Sequence, residues 1–217
     1  MKRHMKRQVV PKNWPVNRKG TTFVVKATSN LRTGIPVLVA MRDILKVANS
    51  RKEVKRAIYE KHLSLNNKPI KEERQAVVLF DVLKISPTKK QYKLILTEKG
   101  KFTLMEIPEK ESLSKVSKVV NKKILKGKKS QLNLSDGRNY LSEIKCNTND
   151  SVIIDFKENK IKECLPLREK AKVFIFAGKH SGKTGTIEKL KLERKMASIK
   201  TEQNKLNVLI KQLIVIE

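Results

Sequence analysis

Cysteine, histidine and tryptophan are scarce in this 217-residue chain. There are two cysteines, three histidines and one tryptophan. Cys146 and Cys164 stand alone with no C-x-x-C pair; two thiols are too few for a disulfide framework, and a reducing cytosol is the simplest setting. His4, His62 and His180 lie far from one another and from both thiols, so spacing offers no metal site and no cofactor is expected. No run of about 18 apolar residues exists that could span a bilayer. The basic N-terminus lacks a following apolar stretch and a small-residue cleavage site, so no signal peptide is expected. Acid is scarce too: 21 Asp and Glu face 50 Lys and Arg, and none precedes Asp43. Asp81, Asp136, Asp150 and Asp155 show no catalytic spacing.

What is present is positive charge. The formal net charge is +29, and its self-repulsion calls for a polyanionic partner. Nucleic acid is the first candidate and an anionic membrane surface the second. The hydrophobic share of 39% is enough for small cores and too high for a disordered chain. The length fits one large domain or two to three small ones.

The stretch from Ile35 to Ile70 organises the reading. Leu38, Met41, Leu45 and Ala48 recur at helical spacing and predict a first helix. Ser50 and Glu53 form an S-x-x-E capping box that predicts the start of a second. Val54, Ala57 and Ile58 give that helix a buried stripe, and Arg51, Lys52, Lys55 and Arg56 fall on a separate arc. The chain then runs extended through His62–Leu65 and turns at Asn66–Pro69, a cluster rich in turn formers. A solvated surface is the plain reading of such a cationic arc; a phosphate backbone is the functional one.

Residues 1–34 read as a basic arm that orders on its nucleic acid, with Lys6, Arg7, Lys12, Arg18 and Lys19 among its cations. Trp14 either stacks on a base or plugs a groove of the protein itself. Beyond the runs Ala76–Phe80 and Val82–Ile85, Pro87 and Thr88 mark a boundary. Strands follow: a hairpin through Tyr92–Ile107, an ambiguous Lys-rich segment Ser112–Gly127 that could form a short helix, and a hairpin turning at Ser135–Arg138. Further strands are expected at Ser151–Phe156, Lys160–Leu165, Val173–Phe176 and Val208–Ile216.

Ala177–Thr184 nearly matches a P-loop, with Ala177 where the first glycine belongs. A P-loop opens a helix inside a parallel sheet, and the residues after Thr184 are too few to build one. Gly185 would also weaken the helix start. The other reading is strand, glycine-spaced turn, strand, with Gly178, Gly182 and Gly185 letting the backbone take positive φ and lie close to a partner strand and Lys179, His180 and Lys183 projecting. That arrangement resembles the KOW motif of small SH3-like barrels.

Collinear stretches resemble one family, the archaeal and eukaryotic small-subunit ribosomal protein S-four-e. Lys6-Arg7 and Pro11–Pro15 resemble its basic start. Pro36–Ala48, with Arg42-Asp43-Ile44-Leu45, resembles the opening helix of its S-four-type RNA-binding domain. Gln131–Asn139 resembles its central signature, and Leu165–Leu167 with Gly178–Gly182 resembles the entry to its KOW unit. Lys71–Arg74 departs from the proline-bearing approach usual there.

The resemblance implies an α+β, multi-domain protein: arm 1–34, RNA-binding module 35–86, central β-rich domain 87–167 and KOW barrel 168–217. It implies a non-enzymatic, cytoplasmic constituent of the ribosome whose partners are small-subunit ribosomal RNA and neighbouring ribosomal proteins, with no membrane or small-molecule partner. The candidate RNA-binding residues are Lys6, Arg7, Lys12, Trp14, Arg18, Lys19, Arg42, Arg51, Lys52, Lys55, Arg56, Lys179, His180 and Lys183. The alternatives are a non-ribosomal RNA binder, an RNA-modifying enzyme and a P-loop nucleotide hydrolase.

Overall fold

A computed structural model describes residues 3–125, 129–142, 144–191, 193–201 and 204–216. These are mostly strands with few helices. The chain divides into two units. The first runs to Leu96 and includes Lys101–Leu113; the second takes Thr97–Gly100 and everything from Ser114 onward.

In the first unit the strands are β1 (His4–Lys6), β2 (Phe23–Val25), β3 (Gly34–Pro36), β4 (Leu63–Leu65), β5 (Lys68–Pro69), β6 (Ala76–Val78), β7 (Val82–Ile85), β8 (Lys90–Leu96) and β9 (Phe102–Glu106). β1 pairs with β2, β3 with β6, and the rest form one antiparallel sheet in the order β5-β4-β7-β8-β9. The residues that read as an arm are therefore folded. Met5, Trp14, Val24, Val25 and Ala27 are buried, and these apolar contacts order a segment whose charge alone predicts otherwise. Pro87 and Thr88 follow β7. They sit in the turn between β7 and β8, which pair from Ile85↔Lys90 to Val82↔Lys93, so the hairpin through Tyr92–Ile107 belongs to the sheet of the first unit.

The first predicted helix is shorter than its periodicity. One α-helical turn, α1 (Val37–Val39), widens into a π-helical turn at Ala40–Ile44, where the Leu45 N–H donates to the Ala40 carbonyl. Lys46 then takes φ 54°, a left-handed position that stops the helix two residues before Ala48. Helix α2 (Arg51–Tyr59) begins where the capping box puts it. Ser50 Oγ accepts from the Glu53 N–H at 3.3 Å, and the Glu53 carboxylate reaches back to the Asn49 N–H at 2.8 Å. Bonds to this carboxylate hold Glu53 below the usual carboxylate range, the Asn49 N–H contributing most and Ser50 next.

The β4–β5 turn is built on Asn66 and Asn67, at φ 51° and 61°. Asparagine tolerates this conformation better than most residues. Asn66 also anchors the next turn: its Nδ2 donates to Asp81 Oδ1 at 2.8 Å, and its Oδ1 accepts from the Val82 N–H at 2.9 Å. Asp81 Oδ2 accepts from the Val78 N–H at 2.8 Å. Both residues are 2% exposed, and the knot ties β4 to the β6–β7 turn.

The second unit carries two five-stranded antiparallel sheets. The first contains β10 (Ser114–Ile124), β11 (Ser130–Leu134), β12 (Asn139–Ser142), β13 (Ser151–Asp155) and β14 (Lys160–Leu165), in the order β12-β11-β10-β13-β14. The second contains β15 (Lys172–Ile175), β16 (Thr184–Lys191), β17 (Met196–Lys200), β18 (Lys205–Leu209) and β19 (Leu213–Val215), in the order β18-β17-β16-β15-β19. Val119, Leu132, Leu134, Val152 and Ile154 form the first core. Val173, Ile175, Ile187, Ile199 and Leu213 are central to the second.

The Lys-rich segment with the ambiguous reading is the strand β10, at the centre of its sheet; of that segment, residues 126 and 127 lie outside the described residues. Its period is hidden because polar residues face inward. Lys115 and Ser117 are each 2% exposed. Lys115 Nζ sits 2.9 Å from Asp136 Oδ2, with the two side chains 1% and 4% exposed. Burial works against the Asp136 carboxylate, but the charge of Lys115 and its hydrogen bond keep Asp136 below its ordinary pKa.

Lys118 and Ser151, register partners in β10 and β13, both bind the C-terminal segment. The Lys118 ammonium donates to the carbonyls of Ile210 and Leu213, and the Val215 N–H donates to Ser151 Oγ at 2.8 Å. Burial pushes Lys118 down to about 8. A lysine whose folded pKa lies below its unfolded value loses its proton first in the folded state. Stability should therefore rise with pH from about 8 to about 10.5, on the order of 3 kcal/mol across that window. Melts across this range should show Lys118→Met with a shallower rise than the parent chain; equal slopes would mean that Lys118 titrates as an exposed lysine does.

The glycine loop joins β15 to β16, an antiparallel pair from Lys172↔Thr186 to Phe174↔Thr184. Thr184 opens a strand rather than a helix, so the P-loop reading falls. Gly178 and Gly182 take φ 90° and 93°. Gly185 does not take positive φ; its need is space, because a Cβ there would stand 2.6 Å from the Lys200 carbonyl oxygen. Gly182→Val should destabilise the second unit by about 1–3 kcal/mol, and Lys183→Ala should leave its melt nearly unchanged. Magnesium-dependent ATP binding that vanishes in Lys183→Ala would contradict this.

Candidate nucleic-acid interface

Helix α2 presents Arg51, Lys52, Lys55 and Arg56 to solvent while Val54 and Ile58 are buried. Three of the four cations have acidic neighbours. Arg51 lies 2.5 Å from Glu73, and Lys55 reaches the same oxygen at 4.0 Å. Arg56 Nε lies 2.8 Å from Glu60, one helical turn on. Burial works against the Glu73 carboxylate, but the hydrogen bond from Arg51 and the charges of Arg51 and Lys55 hold it below its usual range. Glu73 belongs to Lys71–Arg74, the stretch that departs from the resembled family pattern. Two carboxylates cannot cancel four cations, so the arc remains net positive and its longer side chains are pre-oriented. Lys52 has no acidic partner among the described residues.

Arg42, on the π-helical turn, is held by its own neighbour. Its Nε and Nη2 donate to the two Asp43 carboxylate oxygens at 3.0 and 2.9 Å. That hydrogen bonding, opposed by partial burial and aided by the Asp43 charge, raises the Arg42 pKa.

The N-terminal cations divide into one that is fixed and four that are exposed. Arg7 is fixed: Nε donates to the Thr21 carbonyl at 2.6 Å, Nη1 to the Asn17 carbonyl at 2.5 Å and Nη2 to Thr21 Oγ1 at 2.9 Å. Its charge has no carboxylate partner among the described residues. Lys6, Lys12, Arg18 and Lys19 are exposed. Trp14 is a correction to the RNA-contact reading. It is 2% exposed and its indole Nε1 has no hydrogen-bond partner among the described residues, so it plugs the protein's own groove rather than offering a stacking face. In the second unit Lys179 is exposed, with His180 and Lys183 half-buried on the β15–β16 loop.

The fold brings Arg7, Arg42 and Arg51 to one small cavity of about 170 Å³, together with Arg3, His4 and Phe23. Among the described residues no acidic one lines it. The last three escape a reading by spacing. His4 and Phe23 meet only because β1 pairs with β2 across the intervening loop, and a lone exposed aromatic beside two valines reads as ordinary strand sequence. Among the described residues no group of three or more His, Cys, Asp or Glu is placed to hold a metal.

Comparison with known proteins gives the family. A model described as Ribosomal family S4e matches residues 88–161, and one described as the RS4NT (NUC023) domain matches residues 1–29. The protein named small ribosomal subunit protein eS4 in Methanocella arvoryzae is 34% identical over 197 residues, covering 89% of this chain and 83% of the relative. The protein of that name in Methanosphaera stadtmanae is 30% identical over 222 residues, covering 99% and 92%. The crystal structure of the 30S ribosomal protein S4e from Thermoplasma acidophilum shares the fold. Its TM-score is 0.74 at 24% identity, over 85% of this chain and 95% of that one. The chain belongs to the S4e family of small ribosomal subunit proteins, a family of structural ribosomal proteins and not of enzymes.

Proposed function

We propose that the chain is built into the small ribosomal subunit in the cytoplasm, where it binds and stabilises folded ribosomal RNA beside neighbouring ribosomal proteins. Lys and Arg displace counterions along phosphates, and the RNA is recognised by shape, backbone and exposed bases. In this reading the first unit holds the N-terminal segment and an S-four-type RNA-binding module. The central β-rich domain spans 87–167 and a KOW unit of SH3-like barrel type spans 168–217, with Lys179, His180 and Lys183 as its contacts. The helix α2 cations, with Arg42, Lys6, Arg7, Lys12, Arg18 and Lys19, are the contacts of the first unit.

The observation that carries the proposal is the exposed cationic arc on α2. Its two neighbouring carboxylates orient it without neutralising it. A surface that served only solubility would not need its guanidinium groups held in place.

Replacing Arg51, Lys52, Lys55 and Arg56 together by Gln should weaken RNA binding across sequences. It should also flatten the log-affinity against log-salt slope by roughly 0.7–0.9 for each phosphate that is no longer neutralised. Filter binding over a salt series measures this, and an unchanged slope would place the arc in solvent.

A further inference from the structure

The cavity between β1, β2 and the two helical segments has a chemistry that general phosphate binding does not use. Its charged wall is made of guanidinium groups, and no carboxylate among the described residues lines it. Two of these charges lack acidic partners among the described residues. One is Arg7, held rigid by its three bonds to Asn17 and Thr21. The other is Arg3, an exposed residue. Arg51 and Arg42 stand with them, each oriented by a carboxylate.

The other wall is aromatic. Phe23 is 54% exposed, although it sits in a strand whose next two residues, Val24 and Val25, are buried. The His4 ring braces it edge to face, with centroids 4.8 Å apart and planes at 69°. A large aromatic ring left half in water, pinned by a second ring and set beside cations without carboxylate partners, matches a stacking platform with a phosphate seat next to it.

We propose that this cavity takes a single unpaired nucleotide of RNA, with the base against Phe23 and the phosphate at Arg3 and Arg7. The proposal rests on the RNA-binding reading and deepens it. A paired base offers no free face to Phe23, so the occupant is an unstacked residue of a loop, bulge or single strand. A volume of about 170 Å³ is enough for one base. An acidic peptide could meet the arginines, but it would leave the Phe23 ring without a planar partner.

The test uses the full chain and a single-stranded RNA 12-mer that carries 2-aminopurine, with a fully paired duplex of the same length as competitor. Binding should quench the 2-aminopurine fluorescence, and the duplex should compete poorly for that signal. Phe23→Leu keeps an apolar side chain at an exposed position, so the fold should be retained, as a thermal melt will check. This variant should lose the quench and bind the single strand roughly 5- to 150-fold more weakly, the range for one stacked base. Phe23→Trp should restore both, and Arg3→Gln should weaken binding while keeping the residual quench. If Phe23→Leu quenches and binds as the parent chain does, the cavity takes no base and the proposal is overturned while RNA binding stands. A parent chain that binds RNA with an ordinary salt slope and gives no quench would overturn the proposal in the same way. If the parent chain binds neither RNA at low salt, the RNA-binding reading itself fails.

Discussion

An excess of 29 positive charges is the constraint under which this fold is built. Small cores cannot hold unpaired charge, because removing an ion from water costs several kcal/mol. The chain therefore keeps most of its lysines and arginines at the surface and answers each buried exception with a specific partner. Lys115 is met by Asp136, which the Ser135–Arg138 turn delivers into the core. Lys118 is met by two backbone carbonyls of the C-terminal segment. Both lysines lie on β10, three residues apart, and their partners come from opposite directions. The central strand of the first sheet of the second unit is thus fixed on one face by an ion pair and on the other by the C-terminal segment.

On the first unit the same scarcity of acid shapes the candidate interface. The few carboxylates there serve orientation: Asp43 holds Arg42, Glu73 holds Arg51, and Glu60 holds Arg56. An exposed ion pair contributes little to stability, with a median of about 0–1 kcal/mol. Its use here is to present a guanidinium in a defined direction while leaving the surface net positive. Arg7 reaches the same end without acid, through carbonyl and hydroxyl acceptors, and so keeps its charge whole. The repulsion among these cations is relieved when phosphates stand opposite them.

Local structure is legible in the sequence wherever a short-range chemical rule sets the outcome. Ser50 and Glu53 mark the start of α2 to the residue, Asn66-Asn67 marks a tight hairpin, and the glycine loop reads as a turn between strands once its context is weighed. The sequence misleads where burial depends on distant residues. β10 reads ambiguously because Lys115 and Ser117 face the core, and only the position of Asp136 explains why a lysine can do so. The N-terminal segment looks like a disordered arm because its charges outnumber its apolar residues. Yet Trp14, Met5 and Val24 find cover once β1 pairs with β2. The cavity at Phe23 is beyond reach for the same reason, since its walls come from elements spread between Arg3 and Arg51. Gly185 reads as a residue that frees the backbone and lets it lie close to a partner strand; only the second need holds, since a Cβ there would meet the Lys200 carbonyl of β17.

The central claim is that this surface places the chain in a ribonucleoprotein rather than in free solution. Quantitative mass spectrometry of gradient-purified small ribosomal subunits from the source cells, washed at high salt, tests it most directly. The account predicts the chain at one copy per subunit after the wash, with little in the free-protein fractions. Recovery of the chain chiefly from the free fractions, or its complete release by moderate salt while other subunit proteins stay bound, would contradict it.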